Sequence, residues 1–243
     1  MPKLEYKLQF STVKENVGEF PVVIVAAGSS LRMQGVSKQF TSLCGVPTIV
    51  HTLLAFQNSP KISKIILVTK SDFINEVQLL ANKYMISKLT DIVEGGATRQ
   101  ESVNCGLNCL IDERFVLIHD GARPLVSGDV ISRVCDALND ADGVICAVKV
   151  KDTIKKVDDN GTVLETIPRE ALYSVQTPQG VNLEKYRQAV SLVDVSLFTD
   201  DASILEAAGY KVKIVEGDYK NIKITTPDDI GIAEYYLEKG ENK

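Results

Sequence analysis

The sequence predicts one α/β domain: a three-layer, doubly wound, mostly parallel sheet from which a β-hairpin arm projects. Three observations carry this reading. Short apolar runs rich in β-branched residues alternate with segments whose apolar residues recur every three or four positions. The runs show little alternation between apolar and polar residues, as strands covered on both faces do. The rhythm breaks once, at an Asn-Gly turn signal.

Taken in order, the strands are expected at residues 22–27 (VVIVAA), 64–69 (KIILVT), 115–119 (FVLIH) and 143–150 (GVICAVKV). Between them, helical spacing runs through residues 47–57, 72–84, 98–110 and 129–140. A further strand ends at the glycine pair Gly95-Gly96. Right-handed crossovers then build the doubly wound sheet. From 151 to 170 the chain alternates around Asp159-Asn160-Gly161, with few apolar residues. That segment is expected to leave the body as an arm, and a second subunit is the natural surface for it to rest on. VQTPQG follows, then a helix from about Leu183, a helix-capping pattern at Thr199-Asp200-Asp201, the strand KVKIVEG and a last helix starting at Pro227-Asp228-Asp229. No linker or repeat divides the chain, so residues 21–243 read as one domain and 1–20 as an N-terminal extension.

Composition bounds the function. Twenty-seven Lys and Arg against 32 Asp and Glu give a net charge of -5. This argues against a sequence-independent grip on nucleic acid, which needs a basic face. The longest apolar run, residues 22–27, is far short of the about 20 residues that span a bilayer, and the first twenty residues carry charges throughout. Five cysteines without a CxxC pair suit reduced thiols. These features together predict a cytoplasmic protein that grips anions with a few placed cations.

Three strand ends carry chemistry. The first strand empties into Ala26-Ala27-Gly28, with Arg32 and Lys38 following six residues apart. It has neither GxGxxG nor GxxxxGK[ST], which removes the main support for nicotinamide and P-loop readings. A turn of small residues followed by two cations still suits a phosphate; a plain strand-to-loop turn is the alternative. GGATRQESV opens a helix directly from a glycine pair, so Arg99 and Ser102 either contact a nucleotide or, with Thr98, simply cap the helix. In HDGARP, Asp120 at a strand's carboxyl end can hold Mg²⁺, and Arg123 either grips an anion or pairs with Asp120 inside the loop. His51 lies in a helical pattern and His119 supports the loop, neither being needed as a base.

AAGSSLRM with SKQF, GGATRQESV, HDGARP, KDTIK, TPQG and NIKITTPDD occur in an order and spacing that resembles the 2-C-methyl-D-erythritol 4-phosphate cytidylyltransferase family, from about Pro21 to Leu237. The resemblance implies a nucleotidyltransferase-like fold and transfer of a cytidylyl group from CTP to methylerythritol phosphate, with Mg²⁺ as the divalent metal. It matches Arg32 and Lys38 to the residues that stabilise transition-state charge, and Arg169 and Lys223 to those that position the sugar phosphate. Ala26, Ala27, Gly28, Gly96 and Ser102 match nucleotide-binding positions. Thr153, Asp120 and Arg123 match positions near the metal and sugar phosphate, with Asp120 reaching the metal directly or through water. It also implies a homodimer joined through the arm. Ser30 stands where the family commonly has glycine and Ser37 where it commonly has proline; both leave the charged groups in place. The alternatives are the sister enzyme that activates ribitol 5-phosphate and a non-catalytic nucleotide-binding module.

Overall fold

The computed structural model describes residues 20–28 and 39–240. Residues 1–19 of the N-terminal extension lie outside the described residues, as do Ser30, Arg32, Ser37 and Lys38 of the first loop; its last residue, Phe20, opens the first strand. Among the described residues a seven-stranded sheet runs β11-β7-β10-β6-β1-β4-β5. Its strands are β1 (Phe20–Val25), β4 (Ile62–Thr69), β5 (Leu89–Glu94), β6 (Phe115–Asp120), β7 (Gly143–Lys149), β10 (Tyr173–Asn182) and β11 (Val212–Glu216). Two short strands, β2 (Ser42–Leu43) and β3 (Val46–Pro47), form a small hairpin before the first helix. β1 lies parallel between β4 and β6, and β10 runs antiparallel between β6 and β7.

Strand alternation sorts the core into two layers. Val22 and Ile24 face α1 (Thr48–Gln57) and α4 (Gly128–Ala137), packing with Ile49, Leu53, Phe56, Val130 and Val134. Val23 faces the other way, toward α3 (Arg99–Leu107), α5 (Leu183–Leu192) and α6 (Asp201–Ala207), packing with Val103, Tyr186, Ile204 and Leu205. Each fully buried Leu or Ile side chain contributes about 2 kcal/mol. α2 (Ile74–Lys83) covers the β4–β5 edge, and α7 (Asp228–Gly240) closes a third cluster over Leu43 and Ile224. Polar N-caps start four of the helices: Thr98, Ser127, Asn182 and Asp200 each accept from a backbone N–H one turn on. Each is worth about 1 kcal/mol.

Where the sequence predicts strands at 64–69, 115–119 and 143–150, the observed ones differ by one or two residues; β1 ends at Val25, leaving Ala26 and Ala27 in the loop. Reading the sequence found neither β10 nor the short β2–β3 hairpin. Five free thiols are present, four of them at least half-buried, but Cys44 is exposed. Among the described residues no helix is long and apolar enough to cross a membrane.

The arm forms as the Asn-Gly signal predicts. β8 (Ile154–Val157) pairs antiparallel with β9 (Val163–Ile167). Gly161 adopts φ 81°, the left-handed turn position a side chain resists. Asp158 Oδ1 accepts from the N–H groups of Asn160 and Thr162. Ile154, Val157, Val163 and Leu164 are all exposed, so among the described residues these apolar side chains of the arm have little cover.

Candidate active site

β4 and β5 extend the sheet to one side of β1, and the chain then returns to lay β6 on the other. Ligands bind at such a reversal, beyond the strands' carboxyl ends. Here Val25 pairs with Asp120, and the chain leaves both strands into one cleft of about 660 Å³. Ala27, Gly28, Gly96, Ser102, Asp120 and Lys223 line it. The loop floor is tied down: Ala26 donates its N–H to Val68, and Gln39 Nε2 donates to the Ala26 carbonyl at 2.9 Å. Gly95 lies so close beneath that a Cβ there would stand 2.3 Å from the Ala27 Cβ. Gly95 is therefore required by contact between two loops, whereas a Cβ at Gly96 would stand 2.3 Å from the Glu101 Cβ of its own segment.

Asp120 is the electrostatic centre. Lys223 Nζ stands 2.8 Å from its Oδ2, Arg123 Nε 3.6 Å from the same oxygen, and Arg99 Nε 3.5 Å from Oδ1. Burial alone favours the neutral acid, but Lys223, Arg99 and Arg123 outweigh it and hold the carboxyl below the usual carboxylate range. One buried anion thus gathers three cations. Their net positive charge suits a site that takes phosphorylated ligands.

Lys223 is delivered by the segment before α7. Ile224 donates its N–H to the Ala122 carbonyl at 2.8 Å, and buried Asn221 donates its side-chain N–H to Thr177 O at 2.8 Å. Arg123 NH1 in turn donates to the Asn221 carbonyl. The NIK segment is therefore bolted to the HDGARP loop and to β10.

A second chamber of about 340 Å³ shares Arg99, Asp120 and Lys223 with the first and adds Arg123, Gln176, Thr177 and Asp200. The cation cluster is the wall between the two. Behind it, His119 is fully buried. Its Nε2 donates to the Arg123 carbonyl at 3.1 Å, and the Thr177 hydroxyl donates to Nδ1 at 3.0 Å while accepting the Asp120 N–H. Burial lowers the His119 pKa to about 4, so the ring is neutral and supports the loop.

Of the residues singled out by sequence, Ala27, Gly28, Gly96, Ser102, Asp120 and Lys223 line the first chamber and Arg123, Asp120 and Lys223 the second. Ala26 is buried beneath the cleft and contributes its backbone. The GGATRQESV segment caps its helix and also opens on the cleft. Thr98 and Glu101 form a capping box, and Ser102 Oγ donates to the Thr98 carbonyl at 2.9 Å, yet Ser102 also lines the cleft. Arg123 likewise pairs with Asp120 inside the loop while lining the second chamber. Thr153 and Arg169 sit on the exposed arm and line neither chamber; Arg169 donates to the Lys151 carbonyl at the arm's base. Asp201, Tyr186, Gln179 and Asn221, all buried around the site, were not singled out by sequence. TPQG, the TDD cap and NIKITTPDD were the signals that contain three of them, Gln179, Asp201 and Asn221.

A family model for 2-C-methyl-D-erythritol 4-phosphate cytidylyltransferase matches residues 20–239. The chain belongs to the 2-C-methyl-D-erythritol 4-phosphate cytidylyltransferase family. It is accordingly a nucleotidyltransferase. A curated cytidylyltransferase of that name from Halalkalibacterium halodurans is 44% identical over 228 residues, which cover 93% of this chain and 100% of the relative. One from Dehalococcoides mccartyi is also 44% identical, covering 94% of this chain and 99% of the relative. Among solved structures, 4-diphosphocytidyl-2C-methyl-D-erythritol synthase from Anaerococcus prevotii aligns with a TM-score of 0.79 at 33% identity, over 91% of this chain and 99% of that one. The family's match spans both chambers and the arm between its first and last residues, so each part of the site described above lies inside it.

Proposed function

We propose that residues 21–243 act as one domain that transfers a cytidylyl group from CTP to 2-C-methyl-D-erythritol 4-phosphate. An oxygen of the sugar phosphate attacks the α-phosphorus in line, a new P–O bond forms, and the bond to pyrophosphate breaks. The observation that carries this is the cation cluster on Asp120, which stands between two chambers and so between two anionic substrates. Such chemistry asks the protein for positioning and charge neutralisation more than for covalent work.

In this reading the larger chamber takes the nucleotide against the Ala27-Gly28 backbone, Gly96 and Ser102, and the smaller takes the sugar phosphate against Arg123 and Lys223. Arg32 and Lys38 neutralise the triphosphate. The donor set suits Mg²⁺, which binds through one or two carboxylates and fills its shell with water and phosphate oxygens. Asp120, at the carboxyl end of β6 and lining both chambers, would hold it directly or through water. Bound there, the ion offsets charge on the triphosphate. No protein base is required, because a phosphate monoester is already ionised at neutral pH. We place the reaction in the cytoplasm, which suits five thiols without a disulfide.

The arm completes the site in a homodimer, one copy's Thr153 and Arg169 reaching the sugar-phosphate chamber of the other. The exposed apolar side chains of β8 and β9 support this. The test is pyrophosphate release from CTP, Mg²⁺ and a panel of sugar phosphates. Methylerythritol phosphate should be the efficient acceptor, and Lys223→Ala should lower kcat/KM by about 100-fold or more. Release with ribitol 5-phosphate alone would move the assignment to the sister reaction, and CTP binding without release from any acceptor would overturn catalysis.

A further inference from the structure

Arg99 opens α3 on the wall common to both chambers, and what holds it lies outside them. Its NH2 group donates to Asp201 Oδ2 at 2.7 Å. Asp201 is inaccessible to solvent, with 0% exposure, and lines neither chamber. Its other oxygen accepts from the Tyr186 hydroxyl at 3.0 Å, which itself accepts from Gln100 Nε2 at 2.6 Å. The Asp201 N–H donates to Gln179 Oε1 at 3.0 Å. Burial, then Asp201, raise the Tyr186 pKa well above its ordinary value, so the phenol keeps the proton it donates. Burial opposes the charge on Arg99, but Asp201 and then Asp120 more than offset it.

A fully buried carboxylate is costly, and apolar packing would hold α6 to α5 at least as well. What the charge adds is direction. A guanidinium has five N–H donors in a rigid fork. Among the described residues one of Arg99's donors goes to Asp201 and another points at Asp120 over a long 3.5 Å. The other three remain for the cleft.

We propose that Asp201, braced by Tyr186, is a positioning residue that holds Arg99 across the wall so that its remaining donors serve the phosphates of both substrates. Without it, Asp120 is the carboxylate left within reach. Arg99 would close on Asp120 as a bidentate pair, compete with Lys223 for Oδ2 and withdraw from the phosphates. The loss falls on the step in which charge builds between the chambers, hence on kcat more than on the KM for CTP. This inference rests on the reading given under Proposed function.

The experiment compares Asp201→Asn, Tyr186→Phe, Arg99→Gln and the Asp201→Asn/Arg99→Gln double variant. Asp201→Asn should lower kcat by about 10- to 100-fold, as loss of an orienting partner does elsewhere, with the KM for CTP changed by less than about threefold. Tyr186→Phe should do the same more weakly. The double variant should be no slower than Arg99→Gln alone, because both changes act through one group. A wild-type kcat in Asp201→Asn would overturn the proposal. So would an Asp201→Asn effect of equal size with and without Arg99, which would mark a role in folding only. If Asp201→Asn does not fold, Tyr186→Phe decides: an unchanged kcat overturns the proposal. A readout without turnover separates this from the assignment of function. The Arg99 Nε–H NMR signal, identified by its absence in Arg99→Gln, should be resolved in the wild type and averaged in Asp201→Asn or Tyr186→Phe. If the wild type does not turn over, the reaction assigned above fails, while an Arg99 signal unmoved by either change refutes the positioning role.

Discussion

His119 has both ring nitrogens bonded and its edge against Phe56, with ring centroids 4.8 Å apart. No room is left for a second ring proton, because Nδ1 accepts the Thr177 hydroxyl. Its pKa of about 4 lies below the usual 6.5. Below pH 6.5 the unfolded chain binds a proton that the native chain refuses, so stability is complete above that pH and falls as pH drops toward 4. The loss should reach about 2 kcal/mol by pH 5. Asp120 acts in a different range, since its depressed pKa adds stability that is lost only at more acid pH. Between pH 7.5 and 5 the melting temperature of His119→Gln should therefore fall by about 5 °C less than that of the wild type. Equal declines in calorimetric scans would refute a buried neutral ring. At this scale the sequence was informative where a polar residue ends an apolar strand: Asp120 and Arg123 announce themselves. Asp201 does not, because its partner Arg99 is 102 residues away and no spacing rule connects them.

Among the elements, β10 was the least legible. Its centre, Gln176-Thr177-Pro178-Gln179-Gly180, reads as a turn, since proline disfavours a central strand. The fold accommodates it with a register shift between Val175 and Gln179, which spares Pro178 a ladder bond. Gln176 and Gln179, both buried, bond instead to Asp218 and to the start of α6. Specific partners replaced apolar pattern, and pattern is what a sequence displays. The central parallel strands β1, β4 and β6, by contrast, were legible because burial on both faces leaves a largely apolar run. Contact between the first loop and the glycine pair yields an element-scale prediction. Gly95→Ala would put a methyl group 2.3 Å from the Ala27 Cβ and 2.7 Å from Ser102 Oγ. Pushing the loops apart at an overpacking cost of about 1–3 kcal/mol should weaken CTP binding about tenfold or more. Adding Ala27→Gly should recover much of it. Calorimetry showing full affinity in the single variant would mean that the loops part without disturbing the nucleotide site.

For the whole molecule, the chain gathers three cations on Asp120 but keeps Arg169 and Thr153 away from them, on an arm with exposed apolar side chains. If two copies exchange arms, two differently damaged chains should repair each other. Lys223→Ala spoils a chain's own chamber, and Arg169→Ala spoils what it lends. Refolded together in equal amounts, half of the dimers are mixed, and each mixed dimer has one intact site. Activity should return to about a quarter of the wild-type value, from near zero for either variant alone. No recovery on mixing would show that the arm does not act between copies.

The arm's attachment has an evolutionary consequence. Both of its legs leave from the neighbouring strands β7 and β10, second and third from the β11 edge of the sheet, where Tyr173 pairs with Lys149. Apart from Thr153 and Arg169, the residues beyond that junction can change in sequence without moving a residue of the cleft. Partner choice and the cation cluster on Asp120 are thus written in separate stretches of chain. Two diverged copies of this gene in one cell could cease to mix by altering about twenty residues of arm, and each would keep its cation cluster unchanged.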